Sequence, residues 1–221
     1  DGEGCAMIEV GQLERDVGAS AKRAIEDELD WEHLPHTHRT TFSAVSLIHS
    51  DRNGWEADVI LVDGTPMRMK VTLDEDRLGY TNATFSEGTE NGRAVCRISE
   101  TGSDSCRMSL RFFVPDISGL DREGVGAFYV DLFGRLIDED EPKMIYTTEA
   151  LKAGGAAHKQ RRKAALADGT MVRVPVVCPH QGLPLNCEPD ASGIMTCPWH
   201  GYQFDARSGE CVSGQVKGWR S

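Results

Sequence analysis

Val125-Gly126-Ala127-Phe128-Tyr129-Val130-Asp131-Leu132-Phe133-Gly134-Arg135-Leu136 is the stretch on which the fold turns. Val125, Phe128, Tyr129, Leu132, Phe133 and Leu136 recur at i, i+3, i+4 and i+7, the spacing of one helical face. Upstream, from Thr40 on, the period is two. Thr40–Ile48 alternates, and Asp51-Arg52-Asn53-Gly54 is a hairpin turn. Trp55–Val62 follows as a second strand, with Asp63-Gly64 as the next turn. Met67, Met69, Val71 and Leu73 share one face of a third. Tyr80–Phe85, Arg93–Glu100 and Cys106–Val114 complete a meander of about six antiparallel strands. A long helix after such a sheet must bury its stripe on it. A second helix is predicted from Pro142 to Ala153, with proline at its start and Gly154-Gly155 as its end. The segment 1–29 reads as polar, with a short amphipathic helix over Ala19–Leu29.

The chain has 221 residues, 39% of them hydrophobic, and a formal net charge of -11. That acidity argues against nucleic acid and anionic membrane as partners. No run of 18 apolar residues occurs, so no membrane span is expected. Asp1-Gly2-Glu3-Gly4 has neither the basic nor the apolar part of a secretory leader, and lacks an initiator Met, so residues upstream are expected to have been removed. The seven cysteines are odd in number and not spaced as a secreted scaffold. They predict a reducing, cytoplasmic setting.

Ala156–Ala167 is a basic connector carrying Lys159, Arg161, Arg162 and Lys163. It is either a solvated face or a docking surface for an acidic electron donor. From Asp168-Gly169 onward the chain is short-stranded and rich in Gly, Pro and Cys. The resulting plan is an N-terminal segment 1–29, a sheet-and-helix domain 30–155, a connector 156–167 and a small all-β domain 168–221, with α+β as the class.

The last segment contains Cys178-Pro179-His180-Gln181-Gly182 and, with sixteen residues intervening after His180, Cys197-Pro198-Trp199-His200-Gly201. Two loops, each with one Cys and one His, offer four metal bonds. Zinc fingers instead pair cysteines with cysteines and histidines with histidines. The segment 168–214 resembles Rieske [2Fe-2S] domains. The resemblance implies a [2Fe-2S] cluster held by Cys178, His180, Cys197 and His200, two thiolates on one iron and two imidazoles on the other. Neutral imidazoles raise the potential above that of all-thiolate clusters. Respiratory Rieske proteins carry an additional disulfide; the corresponding positions here are Leu183 and Trp199, so the resemblance is to the lower-potential ferredoxin and oxygenase type.

A second motif precedes the meander. Asp30, His33 and His38 stand in Glu26-Asp27-Glu28-Leu29-Asp30-Trp31-Glu32-His33-Leu34-Pro35-His36-Thr37-His38 with the spacing Asp-x2-His-x4-His. This resembles the mononuclear iron site of Rieske non-heme oxygenases, where two His and a distant carboxylate form a facial triad. The resemblance implies Fe(II) on His33, His38 and an acid from 138–141. Asp140 fits best, with Asp138, Glu139 and Glu141 open. It further implies that Asp30 is a bridge toward a cluster histidine rather than a ligand. His36 is assigned no metal.

Residues 30–150 also resemble START-like helix-grip domains, in which a sheet wraps a long helix around an apolar cavity, many of them without metal. Met67, Met69 and Met108 either line that cavity or simply pack the core. The order is unusual, because Rieske oxygenases place the cluster domain first. Two functions follow as expectations. One is an oxygenase that uses O2 and electrons from an NAD(P)H-dependent reductase or ferredoxin to hydroxylate, dihydroxylate or demethylate a small apolar substrate, in an oligomer that passes electrons between subunits. The alternative is a Rieske ferredoxin-like carrier fused to a ligand-binding START-like domain without catalysis.

Overall fold

The computed structural model describes residues 6–154, 156–214 and 216–219. The reading of residues 1–4, Cys5 and the second glycine of the 154–155 pair fall outside them. The chain divides into two compact units, Asp1–Met144 and Ile145–Ser221.

The first unit opens with strand β1 (Met7–Val17), helix α1 (Ala21–Glu28), a 3-10 turn (Trp31–His33) and the short helix α2 (Leu34–Thr37). Six strands follow: β2 (Phe42–Asp51), β3 (Gly54–Leu61), β4 (Pro66–Leu73), β5 (Gly79–Ser86), β6 (Thr89–Gly102) and β7 (Ser105–Pro115). They form one antiparallel sheet in the order β1-β7-β6-β5-β4-β3-β2. Helix α3 (Arg122–Lys152) comes next. This is the helix-grip arrangement.

The seventh strand, β1, is absent from the sequence reading, and its register explains why. It pairs with β7 from Met7↔Pro115 to Val17↔Cys106, with a bulge between Glu9 and Gly11. The extra residue of a bulge reverses the phase of the side chains after it. Val10, Leu13 and Val17 therefore reach the same core at spacings that mimic a helix.

Ser20 caps α1, its side chain accepting from the Arg23 N–H. The sheet and α3 enclose two core clusters. One gathers Cys96, Met108, Leu110 and Phe112 with Ile137 and Met144 of the helix. The other gathers Phe42, Trp55, Val59, Met69 and Val71. Met69 and Met108 are core residues, 6% and 5% exposed.

Helix α3 passes close over β1. A Cβ on Gly126 would collide with the Val10 carbonyl oxygen, and one on Gly11 would stand 3.2 Å from the Gly126 oxygen. Both obstacles are backbone, so neither yields easily. Gly126→Ala is expected to cost about 1–3 kcal/mol in urea unfolding despite alanine's better helix propensity. Gly134, in the same helix, has open space within 4 Å of where an added methyl would sit, so Gly134→Ala is expected to stabilise by about 0.5–1 kcal/mol. Equal effects at the two positions would contradict the close approach.

One further difference concerns Pro142, predicted to start a new helix. It lies inside α3, which continues for ten more residues to Lys152. Proline there removes one helical hydrogen bond without ending the helix. The division between the units falls within α3, just after Met144, rather than at the expected connector 156–167.

The second unit contains two hairpins, β8 (Arg161–Ala165) with β9 (Met171–Pro175), and β10 (Ile194–Thr196) with β11 (Gln203–Asp205). Its core holds Val174, Leu185, Met195 and Phe204 together with Cys178 and Cys197. The segment read as a connector therefore supplies a strand. Arg162 hid the alternation. It points inward, but its guanidinium lies 2.6 Å from Glu188 and bonds to the Cys187 carbonyl.

Candidate metal centres

In the first unit, three side chains from distant parts of the chain converge. His33 ends the 3-10 turn and His38 caps α2 at its C-terminus; both are buried, at 4% and 2% exposure. Asp140 comes from α3. The His33 Nε2 and His38 Nε2 atoms are 3.1 Å apart. Asp140 Oδ1 lies 3.3 Å from His33 Nε2 and 3.1 Å from His38 Nε2. Three donor atoms about 2.1 Å from one ion, at right angles to one another, would stand about 3.0 Å apart.

The hydrogen bonds behind the rings fix their orientation. His33 Nδ1 faces the Asp30 carbonyl oxygen, which only accepts, so Nδ1 carries the proton. His38 Nδ1 donates to Glu139 Oε2 at 2.8 Å. In the neutral tautomers both Nε2 lone pairs are then turned toward Asp140 Oδ1, a buried atom with no hydrogen-bond donor. Three acceptors facing each other repel unless a cation or a proton lies among them. Burial alone would lower His38, but Asp140 and Glu139 outweigh it and raise it to about 9. Burial alone would raise Asp140, but His33 and His38 hold it below the usual carboxylate range. The donor set, two imidazoles and one carboxylate with positions left open, fits non-heme Fe(II).

The acidic run separates by helical geometry. Asp138 pairs with Arg15, and Glu141 accepts from the Gly18 N–H at 2.6 Å. Glu139 orients His38, and only Asp140 enters the cluster of acceptors. His36 is outside it.

Asp30, expected to bridge toward a cluster histidine, makes two contacts within the first unit. Its carbonyl receives His33, and its carboxylate lies 2.8 Å from Lys143 Nζ. Lys143 is 3% exposed and also lies 3.0 Å from Asp27. Asp30 thus positions the His33 ring and pairs with a buried cation. The sequence reading missed Lys143, although it stands three residues after Asp140 on the same face of α3.

A small pocket of about 60 Å³ reaches the triad, lined also by Glu28, Trp55 and Tyr80. Burial, with Asp140 adding its charge, pushes Glu28 up to about 8. Beside it lies a cavity of about 320 Å³ between the sheet and α3, lined largely by Leu61, Met67, Phe128, Tyr129 and Leu132. The two share Phe42, Met69, Asn82, Phe133 and Leu136.

In the second unit, two loops repeat one design. The Cys178 N–H bonds to Leu183 O at 2.7 Å, and the Cys197 N–H to Tyr202 O at 2.8 Å. Gly182 N–H and Gly201 N–H each return to the carbonyl of their own cysteine at 2.9 Å. Both glycines have positive φ, 77° and 68°, which closes each loop without strain. The loops place the two thiols side by side, Cys178 and Cys197 each 1% exposed. The rings of His180 and His200 stand 4.8 Å apart. Contact between the two lowers Cys197 below the usual thiol range and raises Cys178 above it. A thiol pair and an imidazole pair fit a two-iron cluster with one pair on each iron. Trp199 donates to the Pro184 carbonyl at 2.9 Å and meets Tyr146 edge-on, tying the loops together. Leu183 is buried, and Cys187 and Cys211 are free thiols.

Comparison with solved structures places the helix-grip part beside a Streptomyces aromatase/cyclase, Zhui (TM-score 0.48, 15% identity, 68% of this chain and 100% of that one). A Thermus thermophilus protein is similar (TM-score 0.49, 15% identity, 61% and 96%). So is truncated norcoclaurine synthase from Thalictrum flavum (TM-score 0.40, 21% identity, 52% and 80%). No curated protein matches. Residues 142–218 match the model of the Rieske [2Fe-2S] domain family. Residues 142–218 are thus similar to a Rieske [2Fe-2S] domain, and they follow a sheet and helix that have the helix-grip arrangement by their own topology.

Proposed function

We propose that the chain is a Rieske-type non-heme iron oxygenase. It would hydroxylate, dihydroxylate or oxidatively demethylate a small apolar substrate, with electrons from an NAD(P)H-dependent reductase or a ferredoxin. The observation that carries this reading is the set of three buried acceptor atoms, 3.1–3.3 Å apart, beside an apolar cavity. An Fe(II) held by His33, His38 and Asp140 would supply O2 activation at its open positions.

The chain's own groups do the rest. The Asp30 carbonyl and Glu139 hold the two imidazoles with Nε2 inward. Lys143 balances the acids around the site. Phe42, Phe133 and Leu136 exclude water and orient an apolar molecule next to the triad. Cys178, His180, Cys197 and His200 would hold the cluster that accepts single electrons. No helix among the described residues is long and apolar enough to cross a membrane. A cytoplasmic setting is proposed from the odd number and unscaffolded spacing of the cysteines.

Glu139→Ala removes the group that fixes the His38 tautomer. It is expected to weaken Fe(II) binding about 10–100-fold in an anaerobic titration, with the cluster spectrum unchanged. Unchanged affinity would show that Glu139 does not hold the ligand. The reading as a whole is tested with nitric oxide, which needs no substrate. Fe(II)-loaded protein should give the high-spin EPR signal of an iron–nitrosyl with open coordination, and Asp140→Ala should lose it. No signal in the wild-type protein would contradict an oxygenase site.

A further inference from the structure

The polar lining of the cavity narrows the substrate, given the reading of that cavity as the substrate chamber. Strand β5 turns Tyr80, Asn82 and Thr84 toward the cavities. Tyr80 is hydrogen-bonded to Glu28 and Cys96. Thr84 Oγ1 donates to Asn91 Oδ1 at 2.8 Å, with the Gly92 carbonyl oxygen 3.3 Å away. Asn82 Oδ1 is buried and has no hydrogen-bond partner. Buried polar atoms in native proteins are normally paired, so an orphan at a cavity wall is available to pair with a ligand group.

Its position is selective. Of the five residues shared by the triad pocket and the apolar cavity, only Asn82 is polar. The two guanidinium groups on the cavity wall are already taken, Arg93 by Glu90 at 2.6 Å and Arg135 by Asp131 at 3.2 Å. Nothing in the lining calls for an anionic ligand.

We propose that Asn82 determines substrate specificity. Its carbonyl accepts one hydrogen bond from a hydroxyl or N–H on an uncharged, otherwise apolar ring compound. That bond holds the neighbouring carbons at the border with the triad. A chamber built to pair with a donor rejects the analogue that lacks it, because the buried acceptor is then left unpaired.

The test is calorimetric titration of the full-length chain with naphthol, its O-methyl ether and naphthalene. Naphthol is expected to bind about tenfold more tightly than either analogue. In Asn82→Leu the three affinities should converge, the analogues binding at least as well as before. Where that variant fails to fold, Asn82→Ala serves in its place with the same convergence expected, and a retained preference for naphthol in either variant overturns the role of Asn82. Equal wild-type binding of all three leaves the chamber standing and overturns the role of Asn82. Binding of none of them overturns the chamber itself, and the assignment with it.

Discussion

His33→Ala is expected to abolish substrate oxidation while leaving the visible Rieske spectrum intact. The cluster loops lie at 178–182 and 197–201, and no residue of the first unit belongs to them. Removing His33 takes away one of three convergent donors and leaves His38 and Asp140 as an incomplete set. Product formation should fall by at least about a thousandfold, the loss that follows when a group essential to the reaction is removed. Iron per chain should drop by one with acid-labile sulfide unchanged. A variant that loses both spectrum and turnover would mean that the substitution unfolds the chain. Retained turnover would remove His33 from the centre.

The second large effect concerns stability. Lys143→Met should destabilise the protein by about 3–5 kcal/mol, a large part of the about 5–15 kcal/mol typical of a domain. Lys143 is the cation between Asp27 and Asp30, at 3.0 and 2.8 Å, and both Lys143 and Asp27 are buried. Its removal leaves buried carboxylates without a counter-charge. Burial, followed by the charge of Asp140, already raises Asp27, and Lys143 opposes that rise. An acid with a raised folded pKa loses stability as pH rises above its unfolded value. The penalty should therefore shrink as pH falls toward about 4, the ordinary aspartate range. Urea unfolding at several pH values measures it. A loss below about 1 kcal/mol would contradict the buried pairing. Replacing Asp27 and Asp30 with Asn in the same protein should recover most of the loss.

Parts of this architecture were legible because they follow simple periods. The six strands from β2 to β7 repeat at two and the stripe from Val125 to Leu136 at 3.6, and both gave the right element, although the stripe is only partly buried and Phe128 stays 58% exposed. The cluster loops were legible because Cys-Pro-x-x-Gly occurs in close variants twice, with one histidine in each. What broke a period was missed. The bulge at Glu9/Gly11 gave β1 a helix-like spacing, and the inward-pointing Arg162 disguised β8.

The site shows the same division. His33 and His38 are close in sequence, so their spacing was informative. The resemblance favoured Asp140 and left Asp138, Glu139 and Glu141 open; what separates the four physically is the rotation of α3 against His38, which no spacing rule gives. Lys143 was invisible for a related reason. A lysine four residues from Glu139 reads as surface charge until Asp27 and Asp30 are seen to enclose it. Asn82 lies in a strand of ordinary alternation, and only the unpaired carbonyl marks it.

The most direct test of the central claim is iron and acid-labile sulfide per chain, on protein purified anaerobically and equilibrated with Fe(II). About three irons to two sulfides are expected, a two-iron cluster plus one iron at His33, His38 and Asp140. About two irons to two sulfides would contradict the mononuclear site, and would leave an electron carrier joined to a ligand-binding helix-grip domain.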